Sequence, residues 1–343
     1  MQALVLAGGQ GTRLRPLTLS VPKPVMPLAG RPFLTFMLDW LRRHGVDEAL
    51  LSCGFLSDAV ERVLGDSYEG VALRYVIEDE PLGTAGPMRL AADMGLLADR
   101  VLVLNGDTLT DLDLTAELEQ HERTGAAGTL ALVAVDDTAS YGSVPTDEDG
   151  RVEAFLEKTP NPPTNRINAG AYVLERAVVD RIPPGRSVSF ETEVFPSLVG
   201  DGLYGYQAEG YWIDIGTPER YLEATYDLLA HRVESPLPPA DETGSLIYDG
   251  CITGGARIGP ASVLGRHGSV GDESVVERSV LHDNVRVGAG CRVTGAILAE
   301  RVVVGDRVEV EDGAILGAGA RVEDGARIER DARVQPGDRV GPS

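Results

Sequence analysis

ALVLAGGQGTRLRPLTLSVPKPVMP, residues Ala3 to Pro27, is the stretch from which the rest of the chain can be read. Its opening run, Ala3 to Ala7, is continuously apolar, as a strand is when a parallel sheet buries both of its faces. Gly8, Gly9 and Gly11 then leave a backbone almost bare of side chains, able to bend sharply and to aim its N–H groups at anionic oxygens. Arg13 and Lys23 supply positive charge downstream, Lys23 between Pro22 and Pro24, which restrict the chain around it. A glycine loop backed by fixed cations suits a polyphosphate. The spacing is not that of a P-loop, since no Gly-Lys-Ser/Thr closes it, and Leu14 stands where a dinucleotide loop has its third glycine.

Composition narrows the classes. A chain of 343 residues predicts two domains. Fifty-three acidic residues against 31 basic ones give a formal charge of −22, which repels nucleic acid and anionic membranes, so neither is expected as a partner. Cations that converge on one site stand out against that background. No apolar run approaches the length of a membrane span. The three cysteines, Cys53, Cys251 and Cys291, have no paired or metal-like spacing. With a core strand starting directly after Met1 and Gln2, they predict a soluble protein of the reducing cytoplasm.

Outward from the loop, Phe33, Phe36, Met37, Trp40 and Leu41 recur at helical spacing, predicting a helix that ends near Gly45. Strands are expected at Ala49–Cys53, Val71–Ile77, Val101–Leu104 and Gly128–Val135, with helices at Leu56–Leu64 and Thr115–Thr124. Such alternation builds a doubly wound α/β sheet, which binds ligands beyond the carboxyl ends of its strands. Two segments fall there. One is Glu78 to Gly86. The other is Asn105-Gly106-Asp107, where an acid after a strand end, beside a glycine that admits close backbone, suits a magnesium ion at a phosphate. Asp214, between apolar neighbours on a short strand, would be costly unpaired, and a second metal-facing carboxylate resolves that cost. Arg151 to Leu156 alternates as a strand does. Thr217 and Pro218 read as the N-cap and first residue of a helix to about Arg232.

The run from Gly8 to Pro16, GGQGTRLRP, together with Pro22-Lys23-Pro24, closely resembles the signature of the sugar-1-phosphate nucleotidyltransferases, the NDP-sugar pyrophosphorylases, and the resemblance is dense over residues 1–232. It implies a Rossmann-like mixed-sheet, GT-A-like catalytic domain that uses magnesium. Carried over residue by residue, it implies catalytic roles for Arg13, Lys23, Asp107 and Asp214, with the metal on Asp107 and Asp214. Leu6, Gly8, Gly9, Gly11, Thr12, Arg13, Glu78, Gly83, Thr84 and Asp107 would bind the nucleotide, and Gly142, Glu157, Lys158, Asn168 and Gly170 the sugar phosphate. One departure is Glu193, where the family's FE-x-D-x-FP segment has Asp; Phe190 to Pro196 is read as a packing helix, with Glu191 a candidate hydroxyl partner. The implied reaction moves a nucleoside monophosphate from a nucleoside triphosphate to a sugar 1-phosphate.

Glu78 bears on the base. Guanine presents two neighbouring donors, which one carboxylate can accept together, whereas uracil and thymine alternate acceptor and donor. A carboxylate here, or at Glu80 if the loop is set differently, favours GTP; mannose 1-phosphate as the favoured acceptor is what the resemblance implies. TTP or UTP with glucose 1-phosphate, GTP with a heptose or cyclitol phosphate, and a catalytically silent nucleotide-sugar-binding homologue remain alternatives.

Past a proline-rich linker, 233–245, Ile252, Ile258, Leu264, Val270 and Val276 fall every six residues. After small slips the period resumes at Leu281, Val287, Val293, Val304, Val310, Val322, Ile328, Val334 and Val340. A six-residue period predicts a parallel β-helix over 246–343, left-handed as in hexapeptide-repeat proteins. Assembly into a homo-oligomer is its expected role. The alternative is an acyltransferase site with His267 or His282 as base.

Overall fold

β1 (Gln2–Leu6) runs through the middle of a mixed sheet, and the strand order around it decides where a ligand can sit. The structure, a computed structural model, describes residues 1–342 apart from Phe55, Ala139, Ser140, Lys158 and Pro160. β2 (Glu48–Cys53) pairs in parallel with β1, and β3 (Val71–Ile77) with β2. β4 (Arg100–Asn105) is added in parallel on the other side of β1. The chain therefore fills one side of β1 and then returns to fill the other, which opens a crevice at the carboxyl ends of β1 and β4. β5 (Gly128–Ala134) and β6 (Arg166–Glu175) follow, β6 lying antiparallel between β4 and β5, and β7 (Leu203–Gln207) closes that edge in parallel with β5.

Two compact units result, and neither is continuous in sequence. One comprises Met1–Gly9 with Met37–Trp212, and the other Gln10–Phe36 with Ile213–Ser343. In the first, Leu4, Val101, Val103, Leu130 and Tyr172 belong to a core sealed by Phe190 and Phe195, whose rings stack 5.1 Å apart. Trp40 is buried and its indole N–H donates to Leu112 O at 2.8 Å. Strand structure between Arg151 and Glu157 is shorter than the alternation predicts. Only Leu156–Glu157 is a strand, while Arg151 and Val152 make single bridges. The Asp147 carboxylate accepts the N–H groups of Asp149 and Arg151, closing a turn where the ladder would start.

In the second unit the six-residue period becomes a parallel β-helix of three sheets. Coils repeat every 17 or 18 residues, so the slips are corners that differ by one residue. Leu264, Val270, Val276, Val287, Val293, Leu298, Val304 and Leu316 point inward and stack into one column. Leu298 and Leu316 occupy positions the sequence period skips. Ile252, in contrast, is 68% exposed, because its only pairing is a single bridge to Ser269.

One outer face of the β-helix is also apolar. Val263, Val280, Ile297 and Ile315 alternate with the inward residues yet are buried. The helix Pro218–Leu229, capped by Thr217, lies against these coils. Its Tyr221 hydroxyl is 3.1 Å from His282 Nε2, and its Tyr226 hydroxyl donates to Arg278 O at 2.6 Å. His282 is thus a buried contact of this helix.

Deleting core volume should be felt where stacking is complete. Leu298→Ala is expected to cost about 2–5 kcal/mol, while Ile252→Ala costs under about 0.5 kcal/mol, in equilibrium urea unfolding.

Candidate functional site

In the first unit the crevice at β1 and β4 is built by backbone. Gly106 N–H donates to Leu6 O at 3.0 Å, carrying the β1–β4 pairing one residue past the strands. A Cβ on Gly106 would stand 2.7 Å from that oxygen, so only glycine permits the approach. Asp107 follows at once and is held at the strand ends.

The glycines of the loop differ in cause. A Cβ on Gly8 would lie 2.7 Å from Glu78 Oε1. Gly11 has φ +59°, a left-handed conformation. A Cβ on Gly9 would meet nothing within 4 Å among the described residues, and its φ is not positive. Neither packing among the described residues nor backbone geometry requires glycine there.

Glu78, just past β3, is fixed at both oxygens. Ser52 Oγ donates to Oε1 at 2.5 Å and Leu82 N–H to Oε2 at 2.9 Å. Ser52 was not singled out by sequence, although a hydroxyl inside the apolar run of β2 was the signal. Beyond it, Gly83 takes φ +77°, and a Cβ there would strike Val188 O at 2.4 Å. Thr84 accepts Phe190 N–H at 2.8 Å and donates to Glu191 Oε2 at 2.6 Å. Its hydroxyl thereby ties this loop to the π-helical turn Phe190–Val194.

Gly142 and Glu157 are brought together as an antiparallel pair, and a Cβ on Gly142 would lie 2.8 Å from Glu157 Oε2. Lys158 lies outside the described residues. Asn168 and Gly170 mark a bulge in β6, where the register shifts before Tyr172. Asn168 Oδ1 accepts Gly170 N–H at 3.0 Å and its amide donates to the Tyr172 hydroxyl at 2.8 Å. Gly170, at φ +76°, leaves room for the Asn105 side chain, which would be 2.6 Å from a Cβ. Tyr172 is a site-forming residue that the sequence did not reveal. Burial, then the negative charge of Glu191 and Asp107, pushes its phenol well above the usual range, so it stays protonated.

In the second unit Thr12 and Arg13 sit on the short 3-10 helix Thr12–Leu14, held by Gly11 O, which accepts Leu14 N–H at 3.0 Å and the Thr18 hydroxyl at 2.8 Å. Lys23, on the turn Lys23–Val25, is 8% exposed, and its Cβ lies 3.4 Å from where a Gly11 Cβ would be. Asp214 ends the strand Trp212–Asp214. A Cβ on Gly216 would meet Arg13 Nη2 at 2.5 Å and Asp214 Oδ1 at 2.9 Å, so the guanidinium and the carboxylate converge on one point that glycine keeps open.

In the first unit, a bare-backbone loop at the switch point of an α/β sheet with acids at the strand ends is the arrangement of a nucleotide-handling enzyme. Comparison with known proteins makes that specific. The nucleotidyl transferase family model matches residues 2–231, and the model of the GMPPB C-terminal domain matches residues 248–342. The chain belongs to the nucleotidyl transferase family and is a nucleotidyltransferase. Mannose-1-phosphate guanylyltransferase of Mycobacterium tuberculosis is 45% identical over 85% of this chain and 82% of its own length. The UTP–glucose-1-phosphate uridylyltransferase of Synechocystis is 30% identical over 89% of this chain and 88% of its own. Among solved structures, HddC of Yersinia pseudotuberculosis complexed with GMP-PN is 32% identical, with a TM-score of 0.55 over 65% of this chain and 97% of that one. Nucleotidyltransferases of this family typically use a divalent metal. No helix among the described residues is long and apolar enough to cross a membrane.

Gly106→Ala should force Leu6 and residue 106 apart. The expected cost is about 1–3 kcal/mol of stability, together with a loss of turnover larger than that of an equally destabilising core substitution, read by unfolding and initial rates on the same samples.

Proposed function

We propose that the chain transfers a guanylyl group from GTP to mannose 1-phosphate, giving GDP-mannose and pyrophosphate. The observation that carries this reading is the braced carboxylate of Glu78 beside Gly8. Each carboxylate oxygen has two acceptor sites, and Ser52 and Leu82 take one each. A remaining site on each oxygen matches the N1–H and N2–H donors of guanine. The 45% identity to a guanylyltransferase supports the same choice.

The chemistry is an in-line displacement at the α-phosphorus by a phosphate oxygen that is already anionic, so no general base is needed. The obstacle is repulsion between two anions. Arg13 and Lys23 would neutralise and orient the triphosphate, with the N–H groups around Gly8, Gly9 and Gly11 donating to its oxygens. Lys158 would meet the sugar phosphate, and Glu157 and Asn168 its hydroxyl face. The donor set fits magnesium. Magnesium, a hard cation, ordinarily takes one or two carboxylates plus substrate phosphates, and Asp107 and Asp214 would be those carboxylates. When bound, it would supply charge neutralisation at the phosphates.

A substrate panel scored by released pyrophosphate tests the assignment. GTP with mannose 1-phosphate should be the best pair, and a clear preference for UTP or TTP with glucose 1-phosphate would overturn it. Arg13→Ala and Asp107→Asn should each lower turnover on the order of hundreds-fold with the fold retained, since one preorganised charge is worth roughly 3–4 kcal/mol in such a transition state. Near-normal rates in either would remove the residue from the site. Glu78→Gln should reduce the preference for GTP over UTP by about tenfold or more, because the amide presents a donor to a guanine donor.

A further inference from the structure

Lys23 is followed by a tight hairpin, Pro27–Leu28 against Arg31–Pro32, whose turn holds Ala29 and Gly30 at φ 45° and 79°. Three carbonyls of this hairpin are taken by side chains from far along the chain. Tyr221 donates to Pro27 O at 2.5 Å, Tyr248 to Ala29 O at 2.7 Å, and Arg266 Nη1 to Gly30 O at 3.3 Å. The Tyr248 ring fills the place of a Gly30 Cβ, which would be 2.1 Å from Cε2. Arg266 covers that ring at 4.7 Å and pairs with Asp283 at 3.6 Å. Behind Tyr221 stands His282. Burial pushes His282 down to about 4, so it is neutral near pH 7. With the only Tyr221 proton on Pro27 O, His282 donates to the phenol oxygen through Nε2.

Leu28 and Ala29 of this segment are fully buried. A cavity of about 110 Å³ lies between it and the coils, lined by Leu17, Val21, Met26, Pro27, His282 and Ala299. Directional bonds add to this packing, and they come from the helix Pro218–Leu229 and the first coils. On its other side it connects without slack to the cation, since Met26 N–H donates to Lys23 O at 3.2 Å and Phe33 N–H to Met26 O at 3.0 Å. We propose that the β-helix end of this chain positions Lys23 for catalysis: Tyr248 and Arg266, with Tyr221, clamp the Pro27–Pro32 hairpin and so fix where the Lys23 ammonium is presented. This rests on the reading that Lys23 meets the triphosphate. The three clamping residues are positioning residues, not catalytic ones.

A merely structural contact and a positioning contact differ in how they combine with Lys23. Tyr248→Phe and Arg266→Met are made in the full chain, alone and with Lys23→Ala, and each is followed by kcat/KM for guanylyl transfer and by calorimetric affinity for GTP with magnesium. Tyr248→Phe should lower kcat/KM about three- to tenfold, the worth of one buried hydrogen bond, with Tm lowered by no more than a few degrees. In the Lys23→Ala background the same change should cost less than about twofold, because its target is gone. Equal losses in both backgrounds, or no loss in the natural one, would overturn the clamp. If the unaltered protein releases no pyrophosphate, the proposed reaction fails instead, and the affinity cycle still decides the clamp by the same criterion.

Discussion

The hydrogen bond from Gly106 N–H to Leu6 O joins the ends of the two strands on which the first unit's site depends. Strands β1 and β4 are neighbours only because the chain fills one side of β1 before crossing to the other. Their carboxyl ends would normally splay as connections leave in opposite directions. A glycine at position 106 lets the backbones stay in register one step further, so the residue after it is delivered beside the start of the glycine loop. Asp107 owes its place to an absent side chain. Glu78 is treated in the same way, with Gly8 making room and Ser52 and Leu82 supplying the bonds that hold the carboxylate still.

The second unit follows a different principle. A β-helix is held by ladders between coils and by one column of aliphatic side chains, so each rung is rigid once its neighbours are present. That makes a steady platform. Of its three outer faces, the one bearing Val263, Val280, Ile297 and Ile315 is apolar and buried, whereas the others carry exposed arginines such as Arg286, Arg292, Arg321 and Arg327. The signature stretch that carries Arg13 and Lys23 belongs to this unit. Sequence order places that stretch at the start of the sheet; contacts place it with the coils.

Much of this was legible beforehand, for identifiable reasons. Buried parallel strands are continuous apolar runs, and a β-helix repeats at a fixed period, so both appear without knowledge of what packs on them. Thr217 was readable as a cap because capping is a bond within one turn. Ile252 was misleading because period reports position in a repeat and not whether another rung lies beneath it. Ser52, Tyr172, Tyr221 and Tyr248 were missed, since each acts on a residue at least four positions away and most act on partners dozens of positions away. Their signals, a hydroxyl in an apolar run or a tyrosine among small residues, have a core reading that is equally good in isolation.

By itself the sequence determined the elements, the β-helix period and the residue types of a nucleotide site, because these depend on local propensity and short-range spacing. Tertiary structure decided which glycines packing requires, how the Glu78 carboxylate is braced, and that the Pro27–Pro32 hairpin is bonded to Tyr221, Tyr248 and Arg266. Those outcomes depend on distances between atoms remote in sequence, and the contacts that fix them exist only once the chain has closed on itself.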